Sequence, residues 1–202
     1  MKKILITGAS SGIGRAIYEY YSMLPDKYEV YGLGRNEQID LRQDIPDFSP
    51  VFTKKWDVVI NCAGIMPFNE SRDVFEVNFW GTLKIMDAVS MNKNGVIINI
   101  ASVSGFMAEP DLPIYAASKA AVISITKSYA AKLAPKKIRV NCISPGFYDT
   151  NLAPGATPPH LIDLIPLKYE ERPERMIPVI DMIINTEYMT GSNIVVDGGL
   201  SL

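Results

Sequence analysis

The sequence predicts an α/β fold in which a doubly wound parallel sheet carries helices on both faces, in three α/β/α layers. Two observations predict it. Short apolar runs alternate along the chain with segments of helical periodicity, a pattern typical of parallel sheets. Several of these runs are continuously apolar, which suits strands buried on both faces.

The predicted elements follow one another in a regular order. The strands are Ile4–Thr7, Glu29–Leu33, Asp57–Asn61, Gly95–Ala101, Ile138–Ile143 and Asn193–Val196. The helices are Arg15–Met23, Arg72–Met91, Pro113–Leu133 and Arg175–Asn185.

Two regions depart from this alternation. Residues 36–56 carry little helical pattern, and the link from Arg35 to Asp40 is shorter than an ordinary parallel crossover. Any strand around Gln38–Arg42 is therefore expected to be brief or irregular. The stretch Phe147–Arg172 is rich in proline and glycine, and we interpret it as most of a substrate lid at about residues 147–175.

The bulk composition favours one domain over residues 1–202, because 48% of the chain is hydrophobic. The 20 basic and 22 acidic residues nearly balance, which argues against nucleic-acid binding and against a basic membrane-binding patch. No stretch approaches the roughly 18 apolar residues of a membrane span. The apolar run before Thr7 is too short for a signal peptide, so we expect a cytoplasmic protein. The isolated cysteines, Cys62 and Cys142, are interpreted as buried small hydrophobes, so no metal site is expected.

A glycine-rich turn, Thr7 to Gly14, comes directly after the first strand and opens a helix. This geometry directs backbone N–H groups and a helix N-terminus at one point, which favours a bound diphosphate in a Rossmann-type fold. An ordinary turn between a strand and a helix is the alternative.

Tyr115 and Lys119 lie four residues apart in an alanine-rich helical segment and therefore share a helix face. An ammonium about 4 Å from the phenol would interact with it by up to about 4 kcal/mol. We therefore expect the lysine to lower the tyrosine pKa toward neutrality, where acid–base catalysis is efficient. A chance pair on a solvated face is the alternative.

Other polar residues follow strand ends, where ligands of parallel sheets bind. Ser102 follows the fourth strand and is either a donor to a substrate oxygen or the N-cap of a short turn. The sequence Asn61-Cys62-Ala63-Gly64 ends the third strand with small residues that permit close approach of a flat ligand. Asn78 lies within a predicted helix and has either a buried polar role or a solvent-facing side chain.

Taken together and in this order, these residues resemble the short-chain dehydrogenase/reductase family. Thr7, Gly8, Gly12 and Gly14 match its motif Thr-Gly-x-x-x-Gly-x-Gly, and Asn61, Ala63 and Gly64 match its Asn-x-Ala-Gly. Its catalytic set matches Asn78, Ser102, Tyr115 and Lys119. Pro145-Gly146 with Thr150 resembles its nicotinamide-side loop, and Met189 to Gly199 resembles its last strand and tail. The chain is shorter than most members, and the missing length falls between the second and fourth strands and in the substrate region.

The resemblance implies hydride transfer between a nicotinamide coenzyme and a carbonyl or secondary alcohol of a small molecule. Tyr115 would be the general acid and base, Lys119 would hold the nicotinamide ribose, Ser102 would orient the carbonyl, and Asn78 would fix a helix kink and a water. The residues expected to contact the coenzyme are Gly8, Ser10, Ser11, Gly12, Ile13, Gly14, Arg35, Asp40, Leu41, Asn61, Ala63, Gly64, Tyr115, Lys119, Pro145, Gly146 and Thr150.

Arg35 decides the expected coenzyme. It follows the second strand, where an acidic residue would bind the ribose hydroxyls of NAD and an arginine suits the 2′-phosphate of NADP. We therefore expect NADP(H) rather than NAD(H), with Asp40-Leu41 resembling the adenine-contacting pair of the family.

The substrate side and the assembly are predicted only broadly. Its candidate residues are mostly apolar: Met66, Val103, Ser104, Phe147, Tyr148 and Leu152. The helices carrying Asn78 and Tyr115 pair subunits in similar proteins, so a homodimer or homotetramer is expected. A non-catalytic NADP-binding sensor is the main alternative, although the tyrosine and the lysine are both retained. A nucleotide-sugar epimerase would need an added C-terminal substrate domain, for which the sequence has no room.

Overall fold

The computed structural model describes residues 1–34, 40–43, 53–66, 71–150, 152 and 157–202. Within these residues, six parallel strands form one sheet in the order β2-β1-β3-β4-β5-β6. The strands are β1 (Lys2–Thr7), β2 (Tyr28–Leu33), β3 (Lys55–Asn61), β4 (Ser90–Ile100), β5 (Arg139–Pro145) and β6 (Asn193–Val196). The predicted doubly wound parallel sheet is confirmed.

Helical segments connect the strands. The α-helices are α1 (Gly12–Ser22), α2 (Arg72–Phe75), α3 (Thr82–Ala88), α4 (Pro113–Leu133), α5 (Pro159–Ile162) and α6 (Ile177–Asn185). A π-helical segment, Glu76–Gly81, joins α2 to α3. Short 3₁₀ turns occupy Val103–Gly105, Ala134–Lys136 and Pro173–Met176.

Neighbouring residues of each strand pack on opposite faces of the sheet. Ile4 and Ile6 of β1 join a core cluster with Ile17 of α1 and Ile180 of α6. Leu5, between them, joins a second cluster that includes residues of α3 and α4. Because both faces of β1 are covered, the strand has to be apolar throughout, as its sequence is.

The predicted helix Arg72–Met91 is wrong at its C-terminal end and in its regularity. The helical segment ends at Ala88, and Ser90 and Met91 begin β4, where they pair with Lys55 and Trp56 of β3. The middle of the segment is π-helical, and it contains Asn78. A π-helical segment is a common way to place a functional side chain out of ordinary helical register.

Two regions are predicted to depart from the strand–helix alternation, residues 36–56 and Phe147–Arg172, and the structure describes part of each. Residues 40–43 form a turn rather than a strand, and Arg35 and Gln38 lie outside the described residues. Near the two ends of the segment predicted to be a lid, Tyr148 and Glu171 form a parallel β-bridge. In the described part of the chain, no helix is both long and apolar enough to span a membrane, and no three His, Cys, Asp or Glu residues cluster as metal ligands.

Candidate active site

The turn between β1 and α1 brings backbone against backbone. Gly8 has φ of +70°, and a Cβ there would lie 2.8 Å from Cα of Ala63. A Cβ on Gly14 would lie 2.3 Å from the carbonyl oxygen of Gly8, so only glycine fits. The side chain of Ser11 forms no cap at the start of α1, so the first-turn N–H groups have no side-chain acceptor there. Open donors on a backbone without side chains suit an anionic ligand.

Loops from other strands meet this turn. The hydroxyl oxygen of Thr7 accepts hydrogen bonds from the N–H groups of Cys62 and Ala63, both at 3.1 Å, and so fastens the loop after β3 to the end of β1. A Cβ on Gly12 would lie 3.3 Å from Cβ of Thr150, in the loop after β5. The ends of β1, β3 and β5 therefore converge on one mouth at the carboxyl edge of the sheet.

Tyr115 and Ser102 form the polar pair of this mouth. Pro113 starts α4, and Tyr115 in its first turn is only 4% exposed. Ser102 follows β4, and its side chain is hydrogen-bonded to that of Tyr115. The oxygen of Ser102 also accepts from the N–H of Ser104 at 3.2 Å, which caps the 3₁₀ turn. The N-cap alternative for Ser102 is therefore correct, and its role as a donor to a substrate oxygen stays a prediction.

Lys119 lies one turn further along α4 and is also buried, with 5% exposure. Its ammonium donates to the carbonyl of Ile100 at the end of β4, at 3.0 Å. Nζ of Lys119 lies 5.7 Å from the ring centre of Tyr115. A Cβ on Gly64 would lie 3.4 Å from the same Nζ. The ammonium is therefore held between the ends of β3 and β4, beside the phenol.

The acid–base properties of this pair differ from the sequence-based expectation. Burial raises the pKa of Tyr115 to about 12, and the hydrogen bond with Ser102 lowers it only in part. Burial also lowers the pKa of Lys119 to about 8. The expected lowering of the tyrosine pKa by the lysine is therefore wrong, because desolvation of both groups is the largest effect. At neutral pH the phenol keeps its proton.

Asn78 is buried within the π-helical segment, and both the oxygen and the nitrogen of its side-chain amide form hydrogen bonds. Its Oδ1 accepts from the N–H of Ile65 at 2.8 Å, and its Nδ2 donates to the carbonyl of Ile65 at 3.0 Å. Nδ2 also donates to Oγ of Ser118 at 3.1 Å, and that hydroxyl donates to the backbone carbonyl of Tyr115 at 2.7 Å. Asn78 therefore connects the loop after β3 to the helix of Tyr115. The buried polar role is the correct alternative, and the irregular helix around it agrees with the expected kink.

Sequence reasoning missed Ser118 as part of this chain of contacts. It lies three residues after Tyr115 and directly before Lys119, so the helical spacing places it near the face of the pair. That spacing is the signal that could have identified it, and the structure shows its hydroxyl fully buried.

The sequence also matches known proteins. A family model described as enoyl-(acyl carrier protein) reductase matches residues 48–201. The 3-oxoacyl-[acyl-carrier-protein] reductase of Thermotoga maritima is 31% identical over 98% of this chain and 97% of its own length. The chain belongs to the short-chain dehydrogenase/reductase family.

Other members show how far the likeness extends. Carbonyl reductase family member 4 of Xenopus tropicalis is 32% identical over 100% of this chain and 98% of its own length. A solved 4-hydroxyisoleucine dehydrogenase, complexed with NADH, has a TM-score of 0.83 and 32% identity, covering 100% of this chain and 99% of that chain. A 3-oxoacyl-[acyl-carrier protein] reductase from Brucella melitensis, with bound NAD, has a TM-score of 0.80 and 26% identity, covering 100% and 91%. These relatives are oxidoreductases, and the family binds nicotinamide coenzymes.

As in a short-chain dehydrogenase/reductase, most expected site residues lie around the mouth. Three groups of them lie at the carboxyl edge of the sheet: the glycine turn (Gly8, Ser10, Ser11, Gly12, Ile13 and Gly14), the residues after β3 (Ala63 and Gly64), and Pro145, Gly146 and Thr150 at and after the end of β5. The side-chain-free backbone at Gly8 and Gly14 and the open start of α1 fit the diphosphate of a dinucleotide.

Three of the expected coenzyme residues, Asn61, Asp40 and Leu41, lie away from this mouth, and a fourth is not described. The amide of Asn61 points into the core, where its Nδ2 donates to Oδ1 of Asn99 at 2.8 Å; its own Oδ1 is buried with no hydrogen-bond partner among the described residues. This side chain supports the sheet rather than the mouth. Asp40 and Leu41 lie in the turn 40–43, against the π-helical segment. Arg35 is outside the described residues.

The candidate substrate residues separate into two groups. Val103 is buried, and Tyr148 is largely buried in the core cluster with Ile143 and Met176. Met66, Ser104 and Phe147 are half-buried, and Leu152 is exposed. A cavity of about 140 Å³ lies between the lid and the residues that follow β6, and Phe147, Leu167 and Tyr169 line it.

Proposed function

We propose that this protein is an NADP(H)-dependent oxidoreductase that interconverts a carbonyl compound and a secondary alcohol, with Tyr115 as the general acid and base. One observation carries the proposal. The buried phenol of Tyr115 is hydrogen-bonded to Ser102 and lies one helical turn from the buried Lys119. Both lie beside a glycine turn suited to a diphosphate.

Each member of the site has a distinct task. When bound, a nicotinamide coenzyme would supply or accept the hydride at the substrate carbon. Tyr115 donates its proton to the carbonyl oxygen during reduction and takes it back during oxidation, while Ser102 donates a hydrogen bond to the same oxygen. Lys119, beside Gly64 at the end of β3, holds the ribose hydroxyls nearest the nicotinamide.

The protonation state of Tyr115 fits the first step of carbonyl reduction. A phenol with a raised pKa carries its proton at neutral pH, and that is the form that carbonyl reduction needs. The substrate class that fits is a ketone on an apolar body, because most candidate residues on the substrate side are apolar.

NADP(H) is proposed on the sequence of the β2 end, where Arg35 offers a planar fork to a 2′-phosphate. The relatives with NADH and NAD bound make this the part of the proposal to test first. Comparison of NADPH with NADH, in the wild type and in Arg35→Asp, measures it. A ratio of kcat/KM that favours NADPH and falls in the variant supports the choice.

We also propose a single domain with residues 147–175 as its substrate lid, and a homodimer or homotetramer formed through the helices of Asn78 and Tyr115. Two large apolar side chains support that face: Trp80 in the π-helical segment is 48% exposed and Ile114 in α4 is 37% exposed. Such surfaces are typical of subunit contacts. The cytoplasmic location stays a prediction.

The decisive experiment is reduction of a generic diketone with NADPH by the wild type and by Tyr115→Phe. Loss of the proton donor is expected to lower kcat by at least about 10²-fold, without loss of coenzyme binding. Tyr129→Phe is the matched control, since Tyr129 lies on the same helix and is hydrogen-bonded to Asp87 instead. Full activity of Tyr115→Phe would refute Tyr115 as the general acid and base. Coenzyme binding by a wild type without turnover on any carbonyl would favour the sensor instead.

A further inference from the structure

The turn at residues 40–43 is ordered by its own side chains. The N–H of Gln43 donates to the carbonyl of Asp40 at 2.9 Å, and the N–H of Arg42 donates to the Asp40 carboxylate at 3.0 Å. The Arg42 guanidinium binds the same carboxylate at 2.6 Å and lowers its pKa. Asp40 is therefore an anion engaged within the turn.

The turn is also fastened to the helical segment that carries Asn78. The ammonium of Lys84, in α3, donates to the carbonyls of Leu41 and Gln43 at 3.2 and 2.6 Å. Arg42 reaches across to the carboxylate of Asp73, in α2, at 2.9 Å. These contacts join residues more than 30 positions apart in the sequence.

The packing at the turn is close as well. A Cβ on Gly81 would lie 3.0 Å from Cβ of Leu41, so the missing side chain of this glycine makes room for Leu41. The turn thus rests on the π-helical segment and is held at its two sides by Lys84 and Arg42.

The position of the turn relates it to the adenosine end of a dinucleotide. The N–H of Ala9 donates to the carbonyl of Leu33 at 3.3 Å, so the end of β2 lies beside the glycine turn. In doubly wound folds the adenosine ribose is bound at the end of the strand that follows the glycine turn. In this chain residues 40–43 come shortly after that strand end in the sequence.

We infer that Lys84 is a positioning residue for the coenzyme: it holds the carbonyls of the turn 40–43 so that Asp40 and Leu41 meet the adenine. The inference rests on the proposed function. The link between β2 and β3 is short in this chain, and the Lys84 ammonium fixes the position of the turn by donating to two of its carbonyls. Lys84 then contributes to dinucleotide affinity and takes no part in proton or hydride transfer.

The test compares ligands with and without the adenosine end. In Lys84→Met, KM for NADPH and the dissociation constant for ADP-ribose, measured by calorimetry, are expected to rise roughly tenfold, since two hydrogen bonds from a charged donor are lost. The kcat is expected to stay within about twofold, and so is turnover with reduced nicotinamide mononucleotide, which has no adenosine. Lys84→Arg, which keeps a cationic donor, is expected to recover most of the affinity.

Amide hydrogen exchange provides a readout that needs no coenzyme. The N–H groups of Arg42 and Gln43 are expected to exchange faster in Lys84→Met, because the turn they stabilise loses its anchor. Asp73→Asn, which removes an exposed partner of Arg42, is a second variant with the same expected direction. Lys132→Met is the control, because Lys132 pairs with Asp87 outside the turn.

The outcomes separate the two proposals. Unchanged ADP-ribose affinity and unchanged exchange in both Lys84→Met and Asp73→Asn would overturn the role of Lys84 and leave the proposed activity standing. An equal loss with the mononucleotide coenzyme would overturn it too, since the defect would then not lie at the adenosine end. A wild type that binds neither NADPH nor NADH would overturn the proposed function, and this inference with it.

Discussion

Replacement of Lys119 by methionine is expected to stabilise the folded protein at neutral pH while it abolishes turnover. The ammonium is buried, and its pKa falls from 10.5 to about 8. One pKa unit corresponds to about 1.4 kcal/mol, so the charged lysine costs the folded state roughly 3 kcal/mol at pH 7. Methionine has similar length and no charge, but it leaves the carbonyl of Ile100 without its donor, which costs about 1–2 kcal/mol. The net expected gain is about 1–2 kcal/mol.

The sign of the pH dependence follows from proton binding. Between pH 8 and 10.5 the unfolded chain keeps the lysine proton and the folded protein releases it, so wild-type stability rises with pH in this window. The methionine variant lacks this rise. Its advantage is therefore expected to shrink from pH 8 upward and to vanish or reverse near pH 10.5, where only the lost hydrogen bond remains.

Urea unfolding of both proteins at pH 7, 8.5 and 10 measures the difference, and titrations of all other groups cancel between them. Lys132→Met is a useful control because that lysine is largely exposed and its pKa is raised, mainly by Tyr129, so no gain at neutral pH is expected. A difference in the free energy of unfolding between wild type and Lys119→Met that is constant from pH 7 to 10 would refute the reasoning. The pKa of Lys119 would then not be lowered by burial.

Two further substitutions test the backbone arrangement of the site. Gly14→Ala is expected to cost several kcal/mol of stability and to abolish dinucleotide binding, because its Cβ would lie 2.3 Å from the Gly8 carbonyl oxygen; a melting temperature equal to that of the wild type would contradict the close approach. Asn78→Ala is expected to cost about 2–4 kcal/mol and to accelerate amide exchange at Ile65, because the N–H and carbonyl of Ile65 lose their partners. Amide exchange at Ile65 that is equal in Asn78→Ala and in the wild type would show that the hydrogen bond to Ile65 is not the important contact.

Much of the fold could be predicted from the sequence because parallel strands covered on both faces have to be continuously apolar. All six predicted strands are present; β6 has the predicted bounds, and each of the other five differs at one or both ends. The start of β4 could not be predicted, since Ser90 and Met91 become strand only by pairing with Lys55 and Trp56, and nothing in their local sequence favours it. Tertiary pairing overrides local propensity in such cases.

The site divides in the same way. Tyr115 and Lys119 could be placed together because helical spacing alone brings them to one face. The pKa values of the pair could not be predicted, since they depend on how completely the rest of the protein excludes water. The direction of the Asn61 side chain depends on strand register, and the contacts of Lys84 depend on a turn more than 40 positions away.

The bridge between Tyr148 and Glu171 has a consequence for how members of this family diversify. The N–H of Asp149 donates to the carbonyl of Glu171 at 2.8 Å, and the N–H of Glu171 donates to the carbonyl of Phe147 at 3.1 Å. With its stem closed in this way, a doubling in length of the stretch between Tyr148 and Glu171 costs only about 0.6 kcal/mol of closure entropy. Insertions and deletions there are cheap and leave α4, which carries Tyr115 and Lys119, untouched.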